Sequence, residues 1–186
     1  MTPEEYLEWE AKQEFRHEYV DGEIFPMTRE NIPYNNIVLN LCSTLYPSVH
    51  QKSCRINLLE VKVKDGKNSR YFYPDLVITC NADDLKSRDF IEHPTVIIEI
   101  LSPSTEKYDH GDKFKYYRQI PSLQEYVLVD SKSISVEIYQ RGEGKIWHYS
   151  AYTEGESITL SSIEFTSTVK VLYEGINFET DTTEQQ

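Results

Sequence analysis

One acidic residue inside an apolar run limits what this chain can fold into. In the stretch TVIIEILSPST, residues 95–105, apolar side chains occupy both alternating sets of positions around Glu99. A strand of this kind is buried on both faces, as in the centre of a sheet that helices cover. Because an unpartnered buried carboxylate is strongly unfavourable, Glu99 is expected to be neutral, paired with a cation such as Lys113, or bound to a metal ion.

Length and composition predict a single domain at residues 1–178 and a polar tail at 179–186, in a chain of 186 residues. The net charge of −12 disfavours any partner held by long-range attraction to phosphates. No run reaches membrane-spanning length and the acidic N-terminus lacks the apolar core of a signal peptide, so no membrane contact and a cytoplasmic location are expected. The three cysteines lack zinc-site spacing and are interpreted as free thiols: Cys42, Cys54 and Cys80.

Local patterns predict the order of helices and strands. Thr2, Pro3 and Glu5 form a capping box that starts a helix running to about Gln13, and Asp21-Gly22 predicts a tight hairpin. The further predicted elements are a core-facing helix at 34–49, strands at 54–63, 71–79 and 96–101, a helix from 103 to about 121, and a strand at 125–130. Antiparallel strands and a helix near 169–175 follow. The order helix, three strands, helix, strand indicates an α/β fold with a mixed sheet.

A second carboxylate, Asp75, opens an apolar run directly after Pro74 in YFYPDLVITC. If the strands at 71–79 and 96–101 are neighbours, Asp75 and Glu99 can converge on one side of the sheet. Two carboxylates, a backbone carbonyl and water are a typical site for Mg²⁺ or Mn²⁺. Lys113 lies four residues after Asp109 on the next helix and can enter the same cleft. These groups are suited to phosphodiester hydrolysis.

Each of these residues also has a simpler interpretation, which the sequence leaves open. Asp75 could cap a turn, and Lys113 with Asp109 could be an ordinary exposed helix pair. One basic stretch, residues 51–73, carries six basic and two acidic side chains. It is either a solvated hairpin or a surface that faces phosphates.

Several longer segments resemble the Uma2-like family, also called DUF820, of restriction-endonuclease-like proteins. The family is abundant in cyanobacteria and belongs to the PD-(D/E)XK nuclease superfamily. The segments are PEEYLEWE…HEYVDGEI, YPDLVI, VIIEILSPSTEKYDHGDKFKYYRQIPSLQEYVLVD and the strands that follow. The resemblance covers roughly residues 2–175. It implies a restriction-endonuclease-like core of a helix, three strands, a helix and a strand, extended by antiparallel C-terminal strands.

The resemblance also implies roles for individual residues. Asp75 is the aspartate of the PD element, Glu99 is the acid of the (D/E)xK element, and the Ile100 carbonyl is a candidate metal ligand. The usual lysine would fall at position 101, which is leucine here, so its role passes to Lys113. Asp109 is a candidate accessory acid. So is Glu18, in HEYVDGE, although a position before a hairpin is expected to be exposed.

The chain departs from the family pattern at two positions. Relatives commonly carry histidine at the start of the first core helix, where this chain has Tyr34, and often carry arginine where it has His110. The resemblance implies Mg²⁺- or Mn²⁺-dependent cleavage of DNA, and a homodimer. The candidate DNA contacts are Lys62, Lys64, Lys67 and Arg70. A protein-binding module without catalysis and a metal-dependent hydrolase of a small phosphate compound are the alternatives.

Overall fold

The computed structural model describes residues 1–27, 31–66 and 69–178. The helices are α1 (Pro3–Glu10), α2 (Ile32–Gln51), α3 (Glu106–Tyr108), α4 (Phe114–Tyr117) and α5 (Val169–Leu172). The strands are β1 (His17–Val20), β2 (Glu23–Pro26), β3 (Arg55–Leu58), β4 (Lys62–Asp65), β5 (Arg70–Phe72), β6 (Leu76–Thr79), β7 (Phe90–Ile91), β8 (Pro94–Leu101), β9 (Glu125–Asp130), β10 (Ser135–Arg141), β11 (Trp147–Thr153), β12 (Ser157–Leu160) and β13 (Phe165–Thr168). The candidate contact Lys67 and the expected tail at 179–186 lie outside the described residues.

The larger sheet has six strands in the order β11-β10-β9-β8-β6-β3, with β8 near its centre. β8 runs antiparallel to β6 and parallel to β9. A parallel pair requires a crossover, which here passes through α3 and α4. The mixed α/β sheet expected from the sequence is therefore confirmed, including the strand–helix–strand crossover.

Burial on both faces of β8 follows from its two apolar sets. Val96, Ile98 and Ile100 pack in the cluster that includes α2, whereas Ile97 and Leu101 pack in the cluster that includes α4. Alternation along a strand assigns Glu99 to the face of Ile97 and Leu101. The acid therefore projects toward the layer formed by α3 and α4.

The smaller sheet has five strands in the order β2-β1-β5-β4-β7. β1 and β2 form the expected hairpin, because Asp21 and Gly22 both adopt positive φ, at 51° and 98°. Under α1, Tyr6, Tyr19 and Tyr71 form a buried aromatic cluster. This cluster fixes the hairpin to the rest of the sheet.

Two expected strands are each divided between the sheets, and that part of the prediction is wrong. The strand at 54–63 breaks at Leu59, which adopts a φ of 46°. The strand at 71–79 breaks around Pro74, which has no N–H to donate to a ladder. As a result β3 pairs with β6 in the larger sheet, whereas β4 pairs with β5 in the smaller one. Residues 73–75 cross from one sheet to the other. Helix α1 is also shorter than expected, ending at Glu10.

The cysteine prediction is wrong for two of the three residues. Cys54 and Cys80 form a disulfide, and only Cys42 has a free thiol. Arg55 pairs with Thr79 across β3 and β6, so the two cysteines are the next residues along the same antiparallel pair. A disulfide between cysteines 26 residues apart is set by this register, and the spacing of the cysteines in the sequence does not reveal it. The cysteines consequently give no support to a reducing compartment.

The C-terminal additions match the sequence expectation. β10 and β11 extend the larger sheet as an antiparallel hairpin, and β12 pairs with β13. α5 begins at Val169, as expected, and packs against α2. Within the ranges that the structure describes, no helix is both long enough and apolar enough to cross a membrane.

Candidate active site

The register of β6 and β8 brings the two predicted acids together. Val77 pairs with Ile97 and Leu76 with Ile98, and continuing this register by one residue sets Asp75 opposite Glu99. Positions opposite one another in an antiparallel pair share a face. The Asp75 amide lies 3.4 Å from Glu99 Oε2 and donates to it. The convergence expected from the sequence is thus what the structure shows.

Two donors fix the Asp75 carboxylate. Its Oδ2 accepts from the Ile100 amide at 2.6 Å, and its Oδ1 accepts from the Tyr34 hydroxyl. In an antiparallel pair the N–H and C=O of one residue point to the same neighbour. The Ile100 carbonyl is therefore directed to the edge that Asp75 occupies. The residue opposite Ile100 in this register is Pro74, which has no N–H to donate to that carbonyl.

Lys113 is the buried cation of the site. Its Nζ lies 2.9 Å from Glu99 Oε1, 3.0 Å from Glu18 Oε1 and 3.6 Å from Asp109 Oδ1. Of the three states expected for Glu99, the structure shows the one in which it is paired with Lys113. Lys113 is only 6% exposed and Asp109 2%, so the exposed-pair interpretation is wrong. The expected exposure of Glu18 is also wrong, since it is 5% exposed.

A π-helical turn, Asp109–Lys113, joins α3 to α4 and gives the lysine its position. Such turns widen a helix and are frequent at functional sites. Here both ends of the turn are buried, and the Tyr126 hydroxyl donates to the Asp109 carbonyl at 3.0 Å. The sequence analysis expected an ordinary helix here. The turn depends on contacts with β9, which local sequence does not encode.

Two further tyrosines, Tyr117 and Tyr73, complete the surroundings of the buried acids. The Tyr117 hydroxyl donates to Glu99 Oε1 at 3.0 Å. The Tyr73 amide donates to Glu18 Oε1, and its hydroxyl donates to Glu10 Oε1, both at 3.0 Å. Sequence reasoning missed these contacts and noted Tyr34 only as a departure from the family pattern. The other departure, His110, bonds to Glu137 Oε1 at 3.0 Å and does not line the cleft.

Burial dominates the electrostatics of the acids. It raises the pKa of Asp75 to about 7, although the bonds from Ile100 and Tyr34 act in the opposite direction. Burial likewise raises the pKa of Glu99 well above its usual range, opposed by Lys113 and reinforced by Asp75. For Lys113, burial acts to lower the pKa, but Glu18 and Glu99 outweigh it and the pKa is raised. Three carboxyl groups, those of Glu18, Glu99 and Asp109, therefore surround a single buried ammonium.

The acids lie in a cleft of about 660 Å³ that opens to solvent. Its floor includes Asp75, Glu99 and Lys113, and its mouth includes the exposed side chains of Glu14 and Phe15. The site is therefore reachable from outside, as a catalytic centre requires.

The residues present fit a hard divalent cation held by two carboxylates. All the candidate ligands are oxygens, the donor type that Mg²⁺ and Mn²⁺ prefer. The buried Asp109 Oδ1 has no hydrogen-bond partner among the described residues, which is consistent with a centre that has surplus negative charge. Over the same part of the chain, no three His, Cys, Asp or Glu residues are grouped as metal ligands. The ligands that fit are Asp75, Glu99 and the Ile100 carbonyl, completed by water.

The basic candidates occupy the smaller sheet, outside the cleft lining. Lys64 Nζ lies 2.8 Å from Glu92 Oε1, and Arg70 Nε lies 2.8 Å from Asp21 Oδ1. Lys62 Nζ lies 5.7 Å from the ring centroid of Tyr73, which does line the cleft. Of the three candidates that the structure describes, Lys62 is the nearest in sequence to the cleft wall and forms no ion pair with another described residue.

A sequence model of the family Uma2, described as "Putative restriction endonuclease", matches residues 3–170. The chain belongs to the Uma2 family. Two proteins of the cyanobacterium Synechocystis sp. are similar to it. One, slr1290, is 35% identical over 96% of this chain and 94% of its own length, and the other, sll1609, is 30% identical over 79% and 84%.

The fold has a solved counterpart. A crystal structure described as "a putative nuclease belonging to DUF820" from Anabaena variabilis matches with a TM-score of 0.77, covering 93% of this chain and 97% of that one. At 19% sequence identity the likeness shows the fold alone. The Uma2 chain therefore has the restriction-endonuclease-like architecture that its sequence predicted.

Proposed function

We propose that this Uma2 protein is a metal-dependent endonuclease that hydrolyses DNA phosphodiester bonds. One observation carries the proposal: Asp75 and Glu99 lie opposite each other in an open cleft, with Lys113 Nζ 2.9 Å from Glu99 Oε1. The family description and the nuclease-like fold support the same reaction class.

Asp75, Glu99 and the Ile100 carbonyl would hold Mg²⁺ or Mn²⁺. Such an ion supplies a Lewis acid for the phosphate and a bound water of lowered pKa. Lys113 neutralises the charge that develops on the phosphate oxygens. Glu18 and Asp109 are positioning residues, because they contact the lysine.

Because of Glu18, Glu99 could bind a metal ion while Lys113 remains paired with a carboxylate. Lys113 contacts both acids, at 3.0 Å and 2.9 Å. If Glu99 turns to a metal ion, the lysine keeps its second carboxylate partner and stays in the cleft. The pair that stabilises the metal-free protein thus becomes a catalytic pair without exposing a buried charge.

The DNA backbone would be contacted from the smaller sheet. Lys62, beside the cleft wall, is the leading candidate, with Lys64, Lys67 and Arg70 as further candidates. A phosphate can compete with Glu92 for Lys64, since this acid is 38% exposed, whereas Arg70 is also held by the buried Asp65 at 3.1 Å. Substitution of Lys62 is expected to weaken binding to all sequences equally and to reduce its salt dependence.

A plasmid assay with matched variants tests the proposal. Purified protein is incubated with supercoiled plasmid or single-stranded DNA in Mg²⁺ or Mn²⁺, and then with chelator. The wild type is expected to cut, and chelator, Asp75→Asn and Glu99→Gln are each expected to abolish cutting. Equal cleavage by wild type and variants would identify a contaminating nuclease and contradict the proposal.

The alternatives predict other results in the same experiment. A hydrolase of small phosphate compounds would release nitrophenol from bis(p-nitrophenyl) phosphate without nicking plasmid. A protein-binding module would do neither, and calorimetry would detect no divalent-ion binding at millimolar concentrations.

We also propose that the active form is a homodimer in contact through α2. This helix carries no Asp, Glu, Lys or Arg in a chain of net charge −12, and it exposes large apolar side chains. It therefore offers a surface where two acidic chains meet without charge repulsion. The cytoplasmic location stays a prediction, without support from the cysteines.

A further inference from the structure

One face of the β1–β2 hairpin is turned toward the cleft. Glu18 pairs with Phe25 across the hairpin, so the two side chains share a face with Cβ atoms about 5 Å apart. Glu18 contacts Lys113 on the cleft floor, and Phe25 therefore lies above the acids. Phe25, Met27 and Phe15 all line the cleft. Phe25 is 42% exposed and Phe15 is 46% exposed. Beside the exposed acid Glu14, the mouth of the cleft thus carries an aromatic and apolar surface.

The cleft is poor in available positive charge. Among the described residues that line it, the cationic side chains are Arg16 and Lys113. Arg16 Nη2 lies 3.1 Å from Glu60 Oε2, and Lys113 is paired with buried acids. A nucleic acid bound here therefore needs a source of affinity other than attraction of its phosphates. An exposed aromatic ring supplies one, because bases stack on it regardless of sequence.

We propose that the mouth of the cleft binds an unpaired nucleobase, stacked on Phe25 with Met27 and Phe15 beside it. The inference rests on the proposed nuclease function and assigns its substrate as single-stranded or locally unwound DNA. In a duplex, neighbouring pairs cover both faces of each base, so only an unpaired base can present a face to the ring. A base on Phe25 leaves its phosphate near Lys113, because Glu18 is adjacent to both.

Oligonucleotide binding by the full chain tests the inference. Asp75→Asn serves as the parent, because it prevents cleavage. Fluorescence anisotropy follows three labelled probes: oligothymidylate of about twelve nucleotides, a duplex of the same length, and an abasic sugar-phosphate strand. The parent is expected to bind oligothymidylate more tightly than duplex. Adding Phe25→Ala is expected to weaken oligothymidylate binding about tenfold and leave the abasic strand unchanged.

Two variants control for indirect effects. Phe25→Tyr keeps the stacking surface and is expected to retain binding. Ile146→Ala removes an apolar side chain that is 56% exposed and lies outside the cleft lining, and it is expected to have no effect. Equal loss on the abasic strand, no loss on Phe25→Ala, or preference for duplex would each overturn the inference. So would a second copy covering this face, seen as a dimer that Phe25→Ala dissociates without changing oligothymidylate binding.

The inference and the proposed function can fail independently. If wild-type protein cleaves DNA but Phe25→Ala leaves single-strand binding unchanged, the nuclease proposal stands and the base-binding inference falls. If Phe25 is required for binding but no chelator-sensitive cleavage occurs, the base site stands and the catalytic proposal falls.

Discussion

Lys113 determines the charge balance of the site. It is buried, and its ammonium contacts Glu18 and Glu99 at distances typical of charge-assisted hydrogen bonds. Removing one member of a buried ion pair costs more than the pair itself contributes, because the remaining charges have no partner. The same side chain is therefore structural in the metal-free protein and, in the proposed reaction, catalytic.

We expect Lys113→Met to lower the free energy of unfolding by about 3–5 kcal/mol. The loss arises because Glu18 and Glu99 keep their burial and lose their cation. Urea denaturation measures it. The triple variant with Glu18→Gln and Glu99→Gln is expected to recover much of the stability but no cleavage. Wild-type stability in Lys113→Met alone would show that the ion pairs do not hold the buried acids.

Asp75→Asn is expected to stabilise the metal-free protein. At pH 8 Asp75 is ionised, and its charge is less favourable in the folded state than in the unfolded state, since burial raises its pKa to about 7. Asparagine removes that cost and keeps a group that can accept from the Ile100 amide. A thermal melt in chelator should show a higher midpoint for the variant, and Mn²⁺ should raise the midpoint of wild type only. A lower midpoint for the variant in chelator would contradict this account.

A side-chain bridge anchors the π-helical turn to the β10–β11 hairpin. His110 Nε2 lies 3.0 Å from Glu137 Oε1, and the Tyr149 hydroxyl donates to Glu137 Oε2 at 2.9 Å. Burial acts to lower the pKa of His110, but its hydrogen bonds to the Glu137 carboxylate and the Glu106 carbonyl outweigh this effect and the pKa is raised above 6.5. Because the folded pKa exceeds the unfolded one, the stability from this pair is complete below pH 6.5 and is lost as pH rises through the folded value.

Glu137→Gln should therefore lower the thermal midpoint more at pH 6 than at pH 9. The expected difference is about 2–4 °C, since the pair is only partly buried. Tyr149→Phe removes the other bond to Glu137, so its effect should be the same at both pH values. An equal effect of Glu137→Gln at pH 6 and pH 9 would show that His110 does not contribute through its charge.

Elements defined by local pattern were predicted well from the sequence. Asp21-Gly22 adopts the positive φ values of a tight turn regardless of its neighbours. The apolar run around Glu99 is buried on both faces and therefore specifies a central strand. The division at Leu59 was missed because leucine rarely adopts positive φ. The pairing of Cys54 with Cys80 and the π-helical turn were missed because both depend on packing between distant segments.

In the candidate site too, features set by local pattern were predicted and features set by tertiary packing were missed. The positions of Asp75 and Glu99 follow from two strand patterns and the family resemblance. Their surroundings do not, because Tyr34 and Tyr117 reach the two acids, and Glu18 reaches Lys113, from three other elements. Hydrogen bonds across such sequence distances are set by tertiary structure, which a single sequence does not display.

The distribution of charge over the whole molecule favours association through α2. Ile32, Leu39 and Tyr46 are 76%, 63% and 57% exposed, and their spacing of seven residues aligns them on one helix face. Leu39→Glu is expected to convert a dimer to a monomer in sedimentation at micromolar concentrations. Ile146→Glu, on a different exposed surface, should leave the dimer intact. A wild-type monomer at these concentrations would contradict the dimer proposal.

The crossing of residues 73–75 between the sheets has one further consequence. Glu18 belongs to the smaller sheet and Glu99 to the larger, so the separation of the acids depends on how the two sheets dock. Small substitutions among Tyr6, Tyr19 and Tyr71, remote from the chemistry, should then adjust turnover by shifting one sheet against the other. In the proposed reaction, evolution could thus tune or silence catalysis without altering any acid of the cleft.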